Sequence, residues 1–292
     1  MTLPNFFIVG AAKSGTTSLY QYLKQHPDIY MSSFKEPHYF ADWDKNVNNQ
    51  EQYEDLFAGW AGEKAIGEAS TGYLYDKDAP SRIKDLIPDA KIIIILRNPA
   101  DMAHALWRQN FRKGDEPLSF PAALQEELLR MSDLTLTKGL KGWHANYYYF
   151  NRALYYRQVK RYIETFGNDK VKVFIFEEFA DDPVRTCREI FKFLEVDPGF
   201  NPHIEVHNAE RRFRYSKLQK LLTRPPDYLA VLRGRLPDRF VSPVRNFLLR
   251  LNWKPGPKLD DELKRRLIEL YRQDMHDLEN LIDRKLFHWF WR

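Results

Sequence analysis

The sequence predicts an α/β fold of three layers, with a central parallel β-sheet flanked by helices. Short apolar runs alternate along the chain with segments of helical periodicity, a pattern typical of parallel strands joined by crossover helices. The strongest strand candidate contains four consecutive isoleucines, Ile92 to Ile95. A β-branched run without polar alternation favours a strand that is covered on both faces.

The individual elements follow from the same patterns. Four segments are apolar and are predicted to be strands: 5–10, 64–68, 91–96 and 170–176. Seven segments are predicted to be helices: 16–25, 79–86, 100–112, 119–131, 146–166, 183–194 and 259–284. Asp182 and Pro183 mark a helix start, because aspartate is a preferred N-cap and proline suits the first helical position. Several prolines make residues 223–258 an irregular region.

The composition is that of a folded protein that stays out of the membrane. The chain has 292 residues, of which 43% are hydrophobic, enough to bury a substantial core. Cys187 is the only cysteine, which fits a reducing compartment. The first predicted strand begins too early for a cleavable signal, and no apolar run reaches the roughly 18 residues that span a bilayer. We therefore expect a cytoplasmic protein, at most peripheral to a membrane.

Positive charge is concentrated near the C-terminus. Residues 211–258 contain 13 Lys or Arg and two Asp, a local net charge of +11, although the whole chain carries only +5. Such a block favours an anionic ligand, substrate or surface, and its plainer interpretation is a solvated face. No groove-reading or zinc-binding motif favours nucleic acid as a partner.

The segment from residue 6 to residue 19 is the most informative for function. An apolar strand runs into a turn of small residues and then into a helix start, an arrangement that binds phosphate-type anions through backbone N–H groups. Gly10 and Gly15 have the spacing of a nucleotide-binding P-loop, but the lysine is at position 13 instead of directly after Gly15. This disfavours an ATPase or GTPase. An ordinary strand-to-helix turn with a solvated lysine is the alternative.

Two other segments carry candidate chemistry. Arg97 directly follows the isoleucine strand, so we expect it at the same sheet edge as the glycine turn, where it suits a second phosphate. Its alternative is a pair with a neighbouring carboxylate. Within residues 34–40, Glu36 or His38 suits a general base toward a hydroxyl, whereas a packed loop is the plainer interpretation.

Taken together, these segments resemble one family, the sulfotransferases that use 3′-phosphoadenosine 5′-phosphosulfate (PAPS). The likeness is to the branch with heparan sulfate sulfotransferase domains and many bacterial enzymes. It is carried by residues 13–19, 35–40, 67–74 and 96–101, with further matches at 173–179, 182–183, 191–198 and 214–219. Because it covers about residues 4–222, we expect residues 1–222 to be the PAPS-binding domain. Residues 223–292 are then a basic helical C-terminal extension packed on it.

The resemblance implies a P-loop-type fold and a set of site residues. Lys13 stabilises the bridging oxygen of the phosphosulfate, and Glu36, with His38 beside it, deprotonates the acceptor. Arg97 holds the 3′-phosphate, and residues 211–217 close over the nucleotide. The implied donor-site residues are Lys13, Ser14, Gly15, Thr16, Thr17, Ser18, Arg97, His104, Arg211, Arg212 and Arg214. The product is adenosine 3′,5′-bisphosphate (PAP), and no metal is implied.

The chain departs from the family pattern at two positions. Ala105 stands where the family usually has a serine that binds the 3′-phosphate, so His104, or Arg211 and Arg212, are expected to replace it. Ala69 stands where the heparan-type enzymes have a lysine near the acceptor. The likeness therefore supports the donor site better than a heparan-like acceptor.

The expected partners are PAPS and an acceptor alcohol or amine on a carbohydrate, lipid or small molecule. The basic residues 223–258 favour an anionic or membrane-associated acceptor. Two other functions stay open at this point. One is a P-loop small-molecule kinase, and the other is a catalytically impaired nucleotide-binding or membrane-surface protein.

Overall fold

A computed structural model describes residues 2–43, 46–137, 142–205, 212–213, 253–254 and 258–291. The strands of its main sheet are β1 (Phe6–Gly10), β2 (Ile29–Met31), β3 (Ala65–Ala69), β4 (Lys91–Leu96) and β5 (Val171–Ile175). The first five helices are α1 (Thr16–Leu23), α2 (Gln50–Asp55), α3 (Ala79–Leu86), α4 (Pro99–Lys113) and α5 (Phe120–Ser132). The others are α6 (Tyr156–Phe166), α7 (Phe176–Asp181), α8 (Pro183–Leu194), α9 (Asp261–Ile282) and α10 (Phe287–Trp291). Short 3-10 helices cover Leu134–Thr137, His144–Tyr147 and Asn151–Ala153.

All five strands of the main sheet are parallel and lie in the order β2-β3-β1-β4-β5. β1 is central, with Phe7 opposite Glu68 of β3 on one side and Ile92 of β4 on the other. The predicted α/β fold is confirmed. Because the carboxyl ends of parallel strands meet at one edge, the segments that follow β1, β3 and β4 are brought together.

Alternate residues of β1 and β4 enter two separate hydrophobic cores. Phe7 and Ile94 contribute to the core on one face of the sheet, and Ile8 and Ile93 contribute to the core on the other. All four side chains are fully buried. This two-sided burial explains why the isoleucine run lacks polar alternation.

Short elements escaped prediction. β2, α2, α7 and α10 have three to six residues each, too few to display a hydrophobic period. The predicted strand 170–176 ends at Ile175 because Phe176 already begins α7. A second, antiparallel sheet pairs β6 (Arg212–Phe213) with β7 (Trp253–Lys254).

The prediction of one helix over residues 146–166 is wrong in its first half, because α6 begins only at Tyr156. Carboxylates from distant segments bind the backbone N–H groups that a continuous helix would use. Glu127 accepts hydrogen bonds from the N–H groups of Phe150 and Asn151, each at 2.7 Å. Asp274 of α9 accepts from the N–H of Tyr155 at 2.7 Å. Hydrogen bonds to distant carboxylates therefore replace the helical hydrogen bonds that the local periodicity predicted.

The C-terminal helices pack onto the body of the protein. α9 contacts α4 and α6, and α10 places Trp289 in the core with no exposed surface. The indole N–H of Trp289 donates to Glu177 at 3.0 Å, and its carbonyl accepts from the Asn98 side chain at 3.1 Å. Trp289 therefore anchors α10 to the body of the protein. The boundary at residues 222 and 223 lies outside the described residues and stays a prediction.

None of the helices in the described ranges combines the length and the apolar character that a membrane crossing requires. The cytoplasmic location predicted from the sequence stays a prediction.

Candidate active site

The glycine turn after β1 adopts a conformation that favours glycine at one point. Gly15 has a φ of 83°, and a Cβ there would lie 3.0 Å from the ring of Phe176 and 3.1 Å from the ring of Phe179. Gly15 is also the N-cap of α1, and no side chain caps the helix at this position. The first N–H groups of α1 are therefore available to a bound anion.

Lys13 projects from this turn into a strongly positive environment. Its Nζ donates to Oε1 of Gln109 at 2.9 Å, and within the described ranges no carboxylate lies within ion-pair distance of it. Burial, with a smaller contribution from nearby cations, lowers the pKa of Lys13 to about 8. These cations are Arg112, Arg97, Arg108 and Lys113. A buried lysine that has no acidic partner in the described ranges and lies among other cations indicates an anion-binding site.

Arg97 lies beside the same turn, as its place after β4 predicts. Its Nη1 donates to the carbonyl oxygen of Lys13 at 3.2 Å, and its guanidinium lies 4.8 Å from the ring centre of Phe176. The neighbouring N–H of Asn98 donates to Glu177 at 2.9 Å, which holds the start of α4 in place. No carboxylate of the described chain pairs with Arg97, so its alternative interpretation is not supported there.

Glu36 is held as a carboxylate by four hydrogen bonds. Lys35 Nζ donates to it at 2.8 Å, and His38 Nε2 lies 2.9 Å from its Oε2. The backbone N–H and the hydroxyl of Thr71 each donate to it at 2.9 Å. Burial alone would raise the pKa of Glu36, but the hydrogen bond from His38 and the charge of Lys35 outweigh it and hold the pKa at about 2.

The backbone of this segment is unusual. Glu36 has a φ of 61° and His38 a φ of 55°, both in the left-handed region that non-glycine residues rarely adopt. The Glu36 N–H donates to the carbonyl of Ala69 at 2.9 Å, and the His38 N–H donates to the hydroxyl of Ser70 at 3.2 Å. These contacts with the segment after β3 fix a strained conformation, which is characteristic of functional sites.

One cavity joins the two groups. Its volume is about 320 Å³, and it is lined by Lys13 and Thr17 from the glycine turn and by Glu36 and His38 from the segment that contacts Thr71. Trp43 lines this cavity and also a larger one of about 870 Å³. A buried lysine and an ionised carboxylate therefore line one cavity whose volume suits a small reacting group.

Comparison with known proteins decides the family. The model of the sulfotransferase domain matches residues 3–279 of this chain. The chain belongs to this family. A sulfotransferase from Alicyclobacillus acidocaldarius, known from its crystal structure, is 33% identical, covers 99% of both chains and has a TM-score of 0.74. The prediction of a PAPS-dependent sulfotransferase is confirmed at the level of the family.

Curated relatives are longer proteins. The mouse bifunctional heparan sulfate N-deacetylase/N-sulfotransferase 4 is 28% identical over 217 residues, and the human protein 3 of that name is 29% identical over 220 residues. Each match covers 68% of this chain but only 23% of the relative. This sulfotransferase therefore spans about a quarter of their length.

His104, which was expected to replace the missing serine, lies in an aromatic setting. Its ring centre is 5.4 Å from that of Trp107 and 5.1 Å from that of Phe120. Burial lowers the pKa of His104 to about 4, and the charge of Arg108 contributes to the lowering. A neutral imidazole can donate one hydrogen bond to a phosphate but brings no charge.

The remaining predicted residues are only partly covered by the structure. Ser14 and Thr16 are buried in the glycine turn, and Ser18 continues α1. Arg211 and Arg214 lie outside the described residues, and Arg212 is described only as backbone in β6.

The sequence analysis predicted α4 but did not include the cationic side chains of its second half among the site residues. Arg108 and Arg112, four residues apart on one face of α4, act on Lys13 together with Lys113. Gln109 contacts Lys13 directly. Their positions could have been predicted from the sequence. A helix that starts at the sheet edge beside Arg97 places one face of its second and third turns along the same cleft.

A second acid is buried in the sheet, three residues before Thr71. Glu68 at the end of β3 is fully buried, and its Oε2 accepts hydrogen bonds from the hydroxyls of Tyr53 at 2.9 Å and Tyr73 at 3.2 Å. Burial raises the pKa of Glu68 and the hydrogen bonds lower it. Burial outweighs them, so the pKa rises to about 7. Among the described residues its Oε1 has no hydrogen-bond partner.

Glu68 is expected to make stability depend on pH. Its folded pKa lies above the unfolded value, so the stability that the protonated carboxyl contributes is complete below about pH 4.5 and is lost as the pH rises through about 7. We expect Glu68→Gln to gain about 3 kcal/mol of unfolding free energy relative to the wild type between pH 5 and 8. Urea unfolding at several pH values measures this difference. Glu189→Gln, an exposed control, should give a difference that does not change with pH, and the same constancy for Glu68→Gln would contradict the assignment.

Proposed function

We propose that this sulfotransferase transfers the sulfuryl group of PAPS to a hydroxyl or amine of a carbohydrate, lipid or small-molecule acceptor and releases PAP. The observation that carries the proposal is a single cavity lined both by Lys13, a buried lysine without an acidic partner in the described ranges, and by Glu36, an ionised carboxylate. A lysine suits the phosphosulfate, and a carboxylate suits the acceptor proton.

The proposed reaction is an in-line transfer. The acceptor oxygen or nitrogen attacks sulfur while the bond between sulfur and the 5′-phosphate oxygen breaks. The electron pair of that bond stays on the phosphate oxygen, where the Lys13 ammonium stabilises the growing charge, and the acceptor proton passes to Glu36. Catalysis then consists of positioning and charge stabilisation, as in phosphoryl transfer.

We assign the donor-binding roles as follows. The turn from Lys13 to Ser18 holds the 5′-phosphosulfate through backbone N–H groups and hydroxyls, and Arg97 holds the 3′-phosphate. Arg108 and Arg112 add the charge that a neutral His104 cannot supply. Within the described chain no group of three or more acidic, histidine or cysteine side chains is placed to hold a metal ion.

The hydrogen bonds of Glu36 bear on how it acts. A carboxylate with a pKa near 2 is a weak base, and the best general bases have pKa values near the working pH. We infer that the acceptor displaces one of the four donors when it binds, which raises the basicity of Glu36. The alternative is that Glu36 orients His38 and that the imidazole takes the proton.

Two substitutions test this assignment with the acceptor that a labelled-sulfate transfer screen identifies. We expect Glu36→Gln to lower kcat by about 10² to 10⁴ and to leave PAP binding unchanged, because the base does not touch the donor. His38→Asn should cost less than Glu36→Gln. A larger loss of kcat in His38→Asn would identify His38 as the general base. Near-normal turnover in both variants would contradict the proposed mechanism.

PAP affinity should depend on pH through Lys13. A bound phosphate favours the charged lysine, so binding takes up a proton when the pH is above about 8, and affinity should fall by up to about tenfold per pH unit there. Calorimetric titration from pH 7 to 10 measures this slope. Lys13→Met should bind PAP weakly at every pH and lack the slope, whereas Lys24→Gln, an exposed lysine at the other end of α1, should behave as the wild type. An unchanged slope in Lys13→Met would contradict the role of Lys13.

The location and the nature of the acceptor remain proposals of the same kind. We propose a cytoplasmic enzyme, at most peripheral to a membrane, and the basic residues 223–258 support an anionic or membrane-associated acceptor. Residues 223–258 lie almost entirely outside the described chain.

A further inference from the structure

Arg152 is a buried cation on the acceptor side of the active-site cavity. It lies in the short 3-10 helix Asn151–Ala153, is 5% exposed and lines the same cavity as Glu36. Its Nη1 donates to the side-chain oxygen of Asn146 at 2.7 Å. Its guanidinium lies 5.1 Å from the ring centre of Trp143 and 5.7 Å from that of Tyr75. Within the described ranges all of these partners are neutral.

Another buried arginine of this fold is paired with an acid. Arg130 is 3% exposed and forms two hydrogen bonds with the buried Glu116, at 2.7 and 3.1 Å. Arg152 has no carboxylate within ion-pair distance in the described parts of the chain. Burial accordingly lowers the pKa of Arg152 to about 10. The charge of Glu36 acts on this guanidinium from beyond ion-pair distance and offsets the lowering only in part. A buried charge without a direct ion pair is unfavourable, so a purely structural role does not explain why arginine occupies this position.

Stacked and hydrogen-bonded tryptophan side chains surround Arg152. Trp143 stacks on Trp43 with ring centres 3.7 Å apart and planes 5° from parallel. The indole N–H of Trp43 donates to Asp76 at 3.0 Å. Trp43, Arg152 and Asn146 all line the cavity, so a guanidinium edge, an amide and an aromatic ring face the space where the acceptor binds. Guanidinium groups bind oxyanions such as carboxylates and sulfates through two parallel hydrogen bonds.

We propose that Arg152 binds an oxyanion of the acceptor, so that the enzyme selects acceptors carrying a carboxylate or a sulfate ester near the reacting hydroxyl or amine. The inference rests on the proposed function, because it treats this side of the cavity as the acceptor site. The cavity is only about 320 Å³, so the oxyanion and the reacting group belong to one compact part of the acceptor. Arg152 is a specificity-determining residue in this arrangement, and Lys13 binds the donor.

The test separates the two anion sites by filling the donor site first. PAP binding to the wild-type protein is measured by calorimetry, and the PAP-saturated protein is then titrated with sodium acetate or sodium methyl sulfate. Sodium chloride keeps the ionic strength constant. The indole N–H signal of Trp143, assigned with a Trp143→Phe variant, reports binding next to Arg152 by NMR.

We expect a saturable shift of the Trp143 signal in the wild type with at least one of the two anions. Arg152→Gln should weaken this binding by about 10-fold to 100-fold, the equivalent of one charge-assisted hydrogen bond. Arg152→Lys keeps the charge but cannot form two parallel hydrogen bonds, so its affinity for the anion should lie between those of the wild type and Arg152→Gln. Arg157→Gln removes the next arginine along the chain, which is exposed, and should leave the response unchanged.

A stronger response to acetate would point to hydroxy or amino carboxylates, and a stronger response to methyl sulfate would point to sulfated acceptors.

Other outcomes would overturn the inference. A wild-type protein that binds PAP but gives no saturable response to either anion contradicts the role of Arg152 and leaves the proposed function intact. The same conclusion follows if Arg152→Gln, still folded and able to bind PAP, responds as the wild type does. Absence of PAP binding in the wild type contradicts the proposed function itself, and the acceptor assignment falls with it.

Discussion

The active site depends on the parallel pairing of β1 with β3 on one side and β4 on the other. This pairing places three chain segments at one edge of the sheet: the glycine turn that carries Lys13, the segment with Thr71, and the start of α4 behind Arg97. The result is a cluster of cations around a buried lysine that has no acidic partner in the described chain, and this lysine shares a cavity with a carboxylate that accepts four hydrogen bonds. Groups of this kind repel or desolvate one another, and only a rigid core on both faces of the sheet holds them in place.

Burial acts in opposite directions on the groups of this site. It lowers the pKa of Lys13 to about 8 and raises that of Glu68 to about 7, because in each case the charged form is disfavoured. Glu36 differs because four donors compensate its charge, so its pKa falls to about 2. The lysine therefore favours an anion beside it, and Glu36 stays ionised across the whole physiological pH range.

The sequence predicted the fold class and placed Lys13 and Arg97 beside the same turn, because both leave local patterns. Two-sided burial gives the isoleucine run of β4, and the turn after β1 needs small residues around Lys13. Contacts between distant segments leave no such pattern. The capping of Tyr155 by Asp274, the hydrogen bonds from Thr71 to Glu36 and the isolation of Arg152 in an aromatic setting all arise from tertiary packing. The family likeness added residue roles that spacing alone left open.

The central claim is that the glycine turn and Arg97 together bind the two phosphates of the donor, with Glu36 on the far side of the reacting centre. A crystal structure of the protein soaked with PAP tests this most directly. We expect the 5′-phosphate within hydrogen-bond distance of Lys13 and of the first N–H groups of α1, with the 3′-phosphate on Arg97 and Glu36 facing the open end of the cavity. PAP bound elsewhere, or with its 5′-phosphate away from Lys13, would contradict the account.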